Sequence, residues 1–509
     1  MLKKFIMKKI FLFSVIAVVT FAAKAQSDNK IVIGKLDSVY SKILNEQRKV
    51  FIYTPDITSG EHDTTKRYPV LYILDGDAHF ISVAGMIQQM SQANGNTVFP
   101  EMIIVAIPNT DRTRDLTPTH IVSDLPAMDS NSSKTSGGGE NFAAFMEKEL
   151  MPHIDSVYPT APYKLLVGHS FGGLMVMSIL TNHTKLFNAY IAIDPSMWYD
   201  HQHFLATTKK KLTREKYNGT RLFIGIANTM PGGMTLEKMK KDTTEETRHI
   251  RSIFELDKFI KTNPQIGLKY SSKYYPDDNH GSVPFPTEYD GLRFIFDYYR
   301  FNLTPGDFSD TSAAIATKFK NHYETVSKEM GYKNSPNELF INMLGYDAMG
   351  KKNYNRATAL FTMNVADYPQ SSNVYDSYGD LLAAEKDTSG AITNYKKALA
   401  IKDNPETVQK VNGLEGKQVF TLTADELQKY AGVFIVDGYG VAVTFHVKDG
   451  ALWSSVPQQD DSQLMPLSPN TFTVKDKSGY NIHFEIDGGK AVSFTSIQPN
   501  GTFTGHLKK

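Results

Sequence analysis

The first 300 residues alternate short apolar runs with longer segments of helical periodicity. Alternation of this kind predicts the α/β class, with a mostly parallel sheet that is covered by helices. The apolar runs that we interpret as strands are residues 50–53, 70–74, 102–107, 165–167, 189–193 and 222–226.

From residue 312 the pattern becomes helical, and positions recur 34 residues apart. Gly345 and Phe361 match Gly379 and Tyr395, a small residue and an aromatic one in each copy. This spacing resembles that of tetratricopeptide repeats. Two repeats bury too small a core to stand alone, so flanking helices should cap them. Packing, covering a substrate and binding a protein partner all stay open as roles for this segment.

Beyond residue 416 the pattern changes again, to short alternating runs that are separated by turns. Residues 448–450 and 487–489 read Lys-Asp-Gly and Asp-Gly-Gly, which are hairpin signals. They predict a small antiparallel sheet or barrel of about six to eight strands. We expect Trp453 to lie in the core of this sheet, with a ligand groove as the alternative.

One predicted turn has a sequence that is typical of a catalytic serine. Residues 165–173 read Leu-Leu-Val-Gly-His-Ser-Phe-Gly-Gly, so a G-x-S-x-G turn at 168–172 joins a predicted strand to a predicted helix. A serine on so sharp a turn has strained backbone angles and close neighbours, which is why glycines flank it. This context indicates that Ser170 is a nucleophile.

A serine hydroxyl needs a histidine base, and the base needs an acid that orients it. In this kind of turn the three follow the chain order Ser, Asp or Glu, His. Of the 14 histidines, His280 fits best, because it lies in a polar turn after the strand-like residues 268–275.

The acid is less well defined, because no carboxylate directly follows the run at 222–226. Our choice is Asp242, which could equally cap the helix predicted at 249–261. Glu246 is the second choice. A Ser-His pair without an acid is the third interpretation.

Backbone N–H groups should stabilise the negative oxygen of the reaction intermediate. One donor is the residue after the nucleophile, Phe171. The other should come from an early loop, and we choose Asp77, because the apolar residues 68–74 end in an Asp-Gly-Asp turn.

Arg112 and Arg114 lie in a polar stretch that could form a wall of the site. They either meet an acidic substrate or pair locally with Asp111 and Asp115. We favour local pairing.

Four motifs in this order resemble the enterochelin esterase-like branch of the alpha/beta-hydrolases. They are YPVLYILDGD at 68–77, GHSFGG at 168–173, DPSMW at 194–198 and NHGSVP at 279–284. The resemblance implies an alpha/beta sandwich in which Ser170 and His280 are catalytic and the amides of Asp77 and Phe171 form the oxyanion hole. The chain has Thr229 where many members carry the acid, which leaves the triad acid open.

Charge and cysteine content narrow the class of function. Lysines precede the apolar residues 10–22, and Ala-Lys-Ala follows at 23–25, a pattern that predicts a secretory signal peptide and a periplasmic or secreted bacterial protein. The absence of cysteine excludes disulfides and thiolate chemistry. A formal net charge of +1 gives no support for nucleic-acid binding, and we expect no membrane span after signal cleavage.

We therefore predict an exported serine hydrolase that cleaves a carboxylic ester or lactone, with no metal or cofactor. The substrate would be a small-molecule or polysaccharide-linked ester. The alternatives are an acyltransferase that uses the same acyl-enzyme, and a non-catalytic binding protein on a hydrolase scaffold. The predicted segments are a signal peptide at 1–25, a hydrolase domain at 26–305, helical repeats at 306–417 and an antiparallel β domain at 418–509.

Overall fold

The computed structural model divides into two compact units, Met1–Ile295 and Phe296–Lys509. The predicted signal peptide at 1–25 lies outside the described residues. In the part of the chain that is described, no helix combines the length and apolarity that a membrane crossing requires. The described residues are 31–55, 66–93, 96–121, 133–417, 420–457, 459–475, 480–498 and 501–508.

A sheet of eight strands forms the middle of the first unit. The strands are β1 Lys35–Ser41, β2 Glu46–Tyr53, β3 Tyr68–Leu74, β4 Ile103–Ile107, β5 Thr160–His169, β6 Ala189–Ile193, β7 Arg221–Ala227 and β8 Lys269–Tyr275. Their order across the sheet is β1-β2-β4-β3-β5-β6-β7-β8. β2 pairs antiparallel with β1 and β4, and every other pairing is parallel. This arrangement confirms the predicted α/β class.

Four of the strands, β3, β4, β6 and β7, are buried at every residue, as expected for a sheet with helices on both faces. The described α-helices are α1 Gly76–Ser91, α2 Arg112–Leu116, α3 Gly139–Phe145, α4 Met151–Val157, α5 Phe171–Asn182, α6 His203–Leu212, α7 Leu236–Met239, α8 Arg248–Thr262 and α9 Pro284–Ile295. A π-helical turn at Met146–Leu150 joins α3 to α4, and 3-10 turns lie at Asp200–Gln202, Glu245–Thr247 and Pro264–Ile266.

The parallel run from β3 through β8 decides where chemistry can occur. Because β3, β5, β6, β7 and β8 point the same way, the loops that follow them meet at one edge of the sheet. In open α/β sheets this edge is where ligands bind.

Helices and then a barrel form the second unit, which confirms the remainder of the predicted fold class. The helices are α10 Pro305–Ser309, α11 Ala314–Met330, α12 Glu338–Gly350, α13 Tyr354–Asp367, α14 Ser372–Ala384, α15 Thr388–Ile401, α16 Pro405–Leu414 and α17 Ala424–Leu427, followed by a 3-10 turn at Gln428–Tyr430. The barrel strands are β9 Gly432–Val436, β10 Ala442–Lys448, β11 Ala451–Ser455, β12 Ser462–Ser468, β13 Thr471–Val474, β14 Asn481–Asp487, β15 Lys490–Gln498 and β16 Gly501–Leu507. They close in sequence order, with β16 pairing to β9.

The two predicted repeats pack in the same way. A Cβ at Gly345 would lie 2.6 Å from the Phe361 ring, and one at Gly379 would lie 2.5 Å from the Tyr395 ring. The small residue therefore makes room for the aromatic ring of the next helix in each copy.

The barrel core is aromatic, with Phe434, Phe445, Phe484 and Phe494 in edge-to-face contacts. Trp453 is not among these core residues, so the expectation that it would be is wrong. Its neighbour in the strand, Leu452, takes the buried position, because successive residues of a strand face opposite sides.

Candidate active site

Ser170 occupies the junction between β5 and α5. Its backbone angles are φ 60° and ψ −115°, a sparsely populated conformation that costs about 1–3 kcal/mol. Three hydrogen bonds hold it: the Ser170 N–H donates to Ile193 (3.0 Å), and its carbonyl accepts from Leu174 (2.9 Å) and Ser196 (3.1 Å). The strained serine is thus fixed by its own helix and by β6.

The flanking glycines are required by close packing. A Cβ on Gly168 would lie 2.5 Å from the backbone of Gly172. A Cβ on Gly172 would lie 3.1 Å from the carboxylate of Asp75, at the end of β3. The start of α5 is therefore pressed against the loop after β3.

His280 lies at the same edge of the sheet. Its ring is 4.5 Å from the ring of His169, centroid to centroid, and His169 directly precedes Ser170. Asn228, at the end of β7, donates through its backbone N–H to Asp278 (2.8 Å) and through its side chain to Pro276 (2.9 Å). These bonds tie the histidine loop to the sheet.

The acid beside His280 is Asp194, the first residue after β6. Its Oδ2 lies 2.6 Å from Nδ1 of His280 and 2.8 Å from Nε2 of His249, the second residue of α8. Its Oδ1 accepts from the Ala227 N–H at 2.9 Å. If Nδ1–H of His280 is the donor, the lone pair lies on Nε2, the atom that can accept a serine proton.

Asp194 is ionised in this setting although it is 0% exposed. Burial raises its pKa, but the hydrogen bonds and charges of His249 and His280 outweigh burial and hold the pKa well below the ordinary value. A carboxylate in this state favours an imidazolium next to it.

The structure does not bring Asp242 to His280, which corrects our choice of acid. The Asp242 carboxylate instead accepts hydrogen bonds from the hydroxyls of Thr244 (2.5 Å) and Thr247, and these bonds lower its pKa. It is not the N-cap of α8 either, because Thr247 has that position. Glu246 is exposed in the same turn.

Asp194 was not predicted, because we expected the acid to follow the run at 222–226. The signal was present, since Asp194 directly follows the apolar residues 189–193 and opens the DPSMW motif. Two neighbouring parallel strands, β6 and β7, both end beside the histidine loop.

The two expected oxyanion donors lie at neighbouring helix starts. Asp77 is the second residue of α1 and Phe171 the first of α5, where a helix provides no acceptor for backbone N–H groups. β3 and β5, which precede these helices, are paired in parallel up to Ile73 and Val167. Their role as oxyanion donors stays a prediction.

Arg112 connects the two helix starts. Its Nε and Nη2 lie 2.6 and 2.9 Å from the two carboxylate oxygens of Asp75, and Nη2 also donates to the carbonyl of His169 at 3.2 Å. The guanidinium lies 5.4 Å from the centre of the Phe171 ring. Burial raises the pKa of Asp75, but the Arg112 bonds outweigh burial, so that its pKa is lowered.

The expected local pairing of the arginines holds for only one of them. Arg114 pairs with Asp115 (2.7 Å) and also with Glu46 (2.7 Å). Arg112 pairs instead with Asp75, 37 residues earlier in the chain.

His169 is a neutral neighbour of the base. Burial, with the charges of His280 and His79, lowers its pKa to about 4. At neutral pH it therefore adds no positive charge beside His280.

In the described part of the chain, one group of side chains has the composition of a metal site. Asp194, His249 and His280 place one potential ligand atom each within 4.8 Å of one another.

The first unit is similar to known esterases. Residues 41–263 match the family model described as "Putative esterase". A siderophore enterobactin esterase of Emericella nidulans is 24% identical over 246 residues, which span 44% of this chain and 81% of that protein. The ferri-bacillibactin esterase BesA of Bacillus subtilis is 31% identical over 187 residues, which span 33% of this chain and 62% of BesA.

A solved structure supports the same assignment. The IroE-like serine hydrolase from Shewanella oneidensis is 29% identical, with a TM-score of 0.54 and a match that covers 65% of this chain and 98% of that one. The fold and these similarities define the first unit as an alpha/beta-hydrolase of the ester-cleaving class. Within that class the first unit is similar to siderophore esterases, which confirms the enterochelin esterase-like resemblance read from the four motifs.

Proposed function

We propose that this protein hydrolyses a carboxylic ester or lactone through an acyl-enzyme on Ser170. The observation that supports the proposal most strongly is the strained serine at the strand–helix junction, at the same edge of the sheet as a histidine whose Nδ1 is held by a buried, ionised aspartate. A fold does not need a serine in so costly a conformation, whereas an exposed nucleophile does.

In the first half of the reaction the Ser170 Oγ attacks the ester carbonyl while Nε2 of His280 takes its proton. The N–H groups of Phe171 and Asp77 stabilise the negative oxygen of the tetrahedral intermediate. Asp194 stabilises the imidazolium. The intermediate then collapses, and His280 passes the proton to the alcohol that leaves.

In the second half water replaces the alcohol. His280 removes a proton from the water as it attacks the acyl-enzyme, and a second tetrahedral intermediate forms in the same oxyanion hole. Collapse of this intermediate releases the acid and returns the proton to Ser170. No step requires a redox change.

The names of the relatives favour a siderophore-type substrate, because two of them are esterases of enterobactin and ferri-bacillibactin. We therefore propose a small-molecule ester or lactone of that kind. Polysaccharide-linked esters and a protein partner for the repeats stay predictions. We also propose export, on the basis of the signal-peptide pattern at residues 1–25.

Labelling with a fluorophosphonate probe tests the class of enzyme and the substrate together. We expect full-length protein to react once, with the adduct on the peptide that contains Ser170, because only an activated serine attacks such a probe. Preincubation with enterobactin should slow labelling by competition. An adduct on another serine, or no adduct on folded protein, would contradict the proposal. If the probe labelled Ser170 but enterobactin did not slow the labelling, enterobactin would be excluded as the substrate and the proposed class of enzyme would stand.

Arg112 should act as a positioning residue for the oxyanion hole. Arg112→Lys removes the paired contacts to Asp75, and a single ammonium cannot also reach the carbonyl of His169. We expect kcat to fall about 10- to 100-fold with KM nearly unchanged, because both helix starts lose their common support. Steady-state kinetics on a p-nitrophenyl ester measures this.

Arg114→Lys is the matched control, since Arg114 lies in the same short helix as Arg112 but binds Asp115 and Glu46. It should leave kcat within about twofold, as expected for a change outside the catalytic contacts. Equal losses of kcat in the two variants would show that the loop matters only for folding.

A further inference from the structure

Two histidines form hydrogen bonds to Asp194, although the proposed reaction uses only one of them. Both imidazole nitrogens, Nδ1 of His280 and Nε2 of His249, converge on the same oxygen of Asp194, at 2.6 and 2.8 Å. The three residues come from three different elements: the end of β6, the start of α8 and the loop after β8. The mechanism above leaves His249 without a role.

The donor set is one that zinc prefers. Zn²⁺ commonly takes three protein ligands, drawn from imidazole nitrogens and carboxylate oxygens, and leaves a fourth position open. With bonds of about 2.0–2.2 Å in tetrahedral geometry, two ligand atoms lie about 3.4 Å apart. The imidazoles of His249 and His280 would therefore move away from Asp194 by less than about 1 Å.

The exposure of the two histidines and the types of ligand atom also favour zinc at this site. The side chains of His280 and His249 are 42% and 19% exposed, while Asp194 is 0% exposed, so a cation can approach from the histidine side. Two nitrogen ligands out of three favour zinc over magnesium or calcium, which prefer oxygen.

We propose that Asp194, His249 and His280 form a binding site for Zn²⁺, and that zinc bound there reversibly inhibits the esterase. The inhibition, but not the site, rests on the function proposed above. Zinc would take the lone pair of Nδ1 of His280, and the proton of that nitrogen would move to Nε2. An Nε2–H cannot accept the proton of Ser170, so attack stops until the metal leaves.

His249 distinguishes this site from an ordinary triad. In the His249→Gln variant the new amide can still donate an N–H to Asp194, but it is a poor zinc ligand. His183→Gln is the matched control, because His183 also lies beside a carboxylate, Glu140 at 3.1 Å, with no second histidine in that pair.

Calorimetry with ZnCl₂ and full-length Ser170→Ala tests the site without depending on turnover. We expect one bound zinc, no binding of MgCl₂, and zinc affinity at least about tenfold weaker when His249→Gln is added, with His183→Gln unchanged. Addition of CoCl₂ should give the visible absorption of tetrahedral Co²⁺, which keeps the test decisive even if the glutamine variant folds poorly.

Inhibition is then measured on protein that carries Ser170, relative to the metal-free rate of each variant. Zinc should inhibit the unmodified enzyme and the His183→Gln variant, EDTA should restore activity, and His249→Gln should need at least about tenfold more zinc. Absence of zinc binding, equal binding by the His249→Gln variant, or binding without inhibition would overturn the proposal. If Ser170→Ala kept its turnover, the proposed function would be wrong. The calorimetric result would still show whether the metal site exists, because it does not depend on turnover.

Discussion

Ser170→Ala should lower kcat/KM for a small p-nitrophenyl ester by at least about 10³-fold, because the nucleophile is lost and the rest of the machinery cannot replace it. The substitution removes one oxygen and leaves the surrounding backbone contacts in place, so the circular dichroism spectrum should not change. Steady-state kinetics and the spectrum together measure the effect.

Ser196→Ala is the matched control. The Ser196 hydroxyl lies 3.4 Å from that of Ser170, but Ser196 is buried and is not flanked by the glycines of the G-x-S-x-G turn. We expect it to keep turnover within about tenfold, the size of a lost neutral hydrogen bond. If Ser170→Ala kept half of the activity, Ser170 would not be the nucleophile. If only Ser196→Ala lost all activity, the nucleophile would be assigned to Ser196.

Asp194→Asn should lower kcat by about 10⁴-fold, as expected when a triad histidine is held in the wrong tautomer. The amide oxygen can still accept from Ala227, but the NH₂ group would then face Nδ1 of His280 and force the proton onto Nε2. Turnover of a small ester, normalised to the folded fraction from a thermal melt, measures the loss independently of stability.

Asp242→Asn separates the acid seen beside His280 from the one chosen by sequence reasoning. Because the Asp242 carboxylate contacts Thr244 and Thr247, we expect kcat to stay within about twofold, the usual effect of a change away from the site. If Asp242→Asn lost most of its kcat while Asp194→Asn kept its kcat, Asp242 would be the triad acid after all.

The strands of the sheet could be predicted because their apolar residues are consecutive. β3, β6 and β7 are buried on both faces, and such strands read as unbroken hydrophobic runs whatever surrounds them. The turn at Ser170 was equally local, since the clash at Gly168 involves a residue only four positions away.

Partners that are set by strand order could not be predicted in this way. Asp194 and Asp242 both lie between Ser170 and His280 in the chain, and only the pairing of β6 with β7 places the first of them at the base. Arg112 likewise had two acidic neighbours in sequence, but its partner is Asp75 at the end of β3.

Because the acid beside His280 is Asp194, which follows β6, the loop after β7 does not have to supply it. Within residues 229–243 the buried Met239 packs into the core of the first unit. Because this stretch contains neither the serine, the histidine nor the aspartate, it can change length and composition while those three residues stay where they are. New ester specificities could therefore evolve, or be engineered, in this stretch by insertion and exchange, separately from catalytic power.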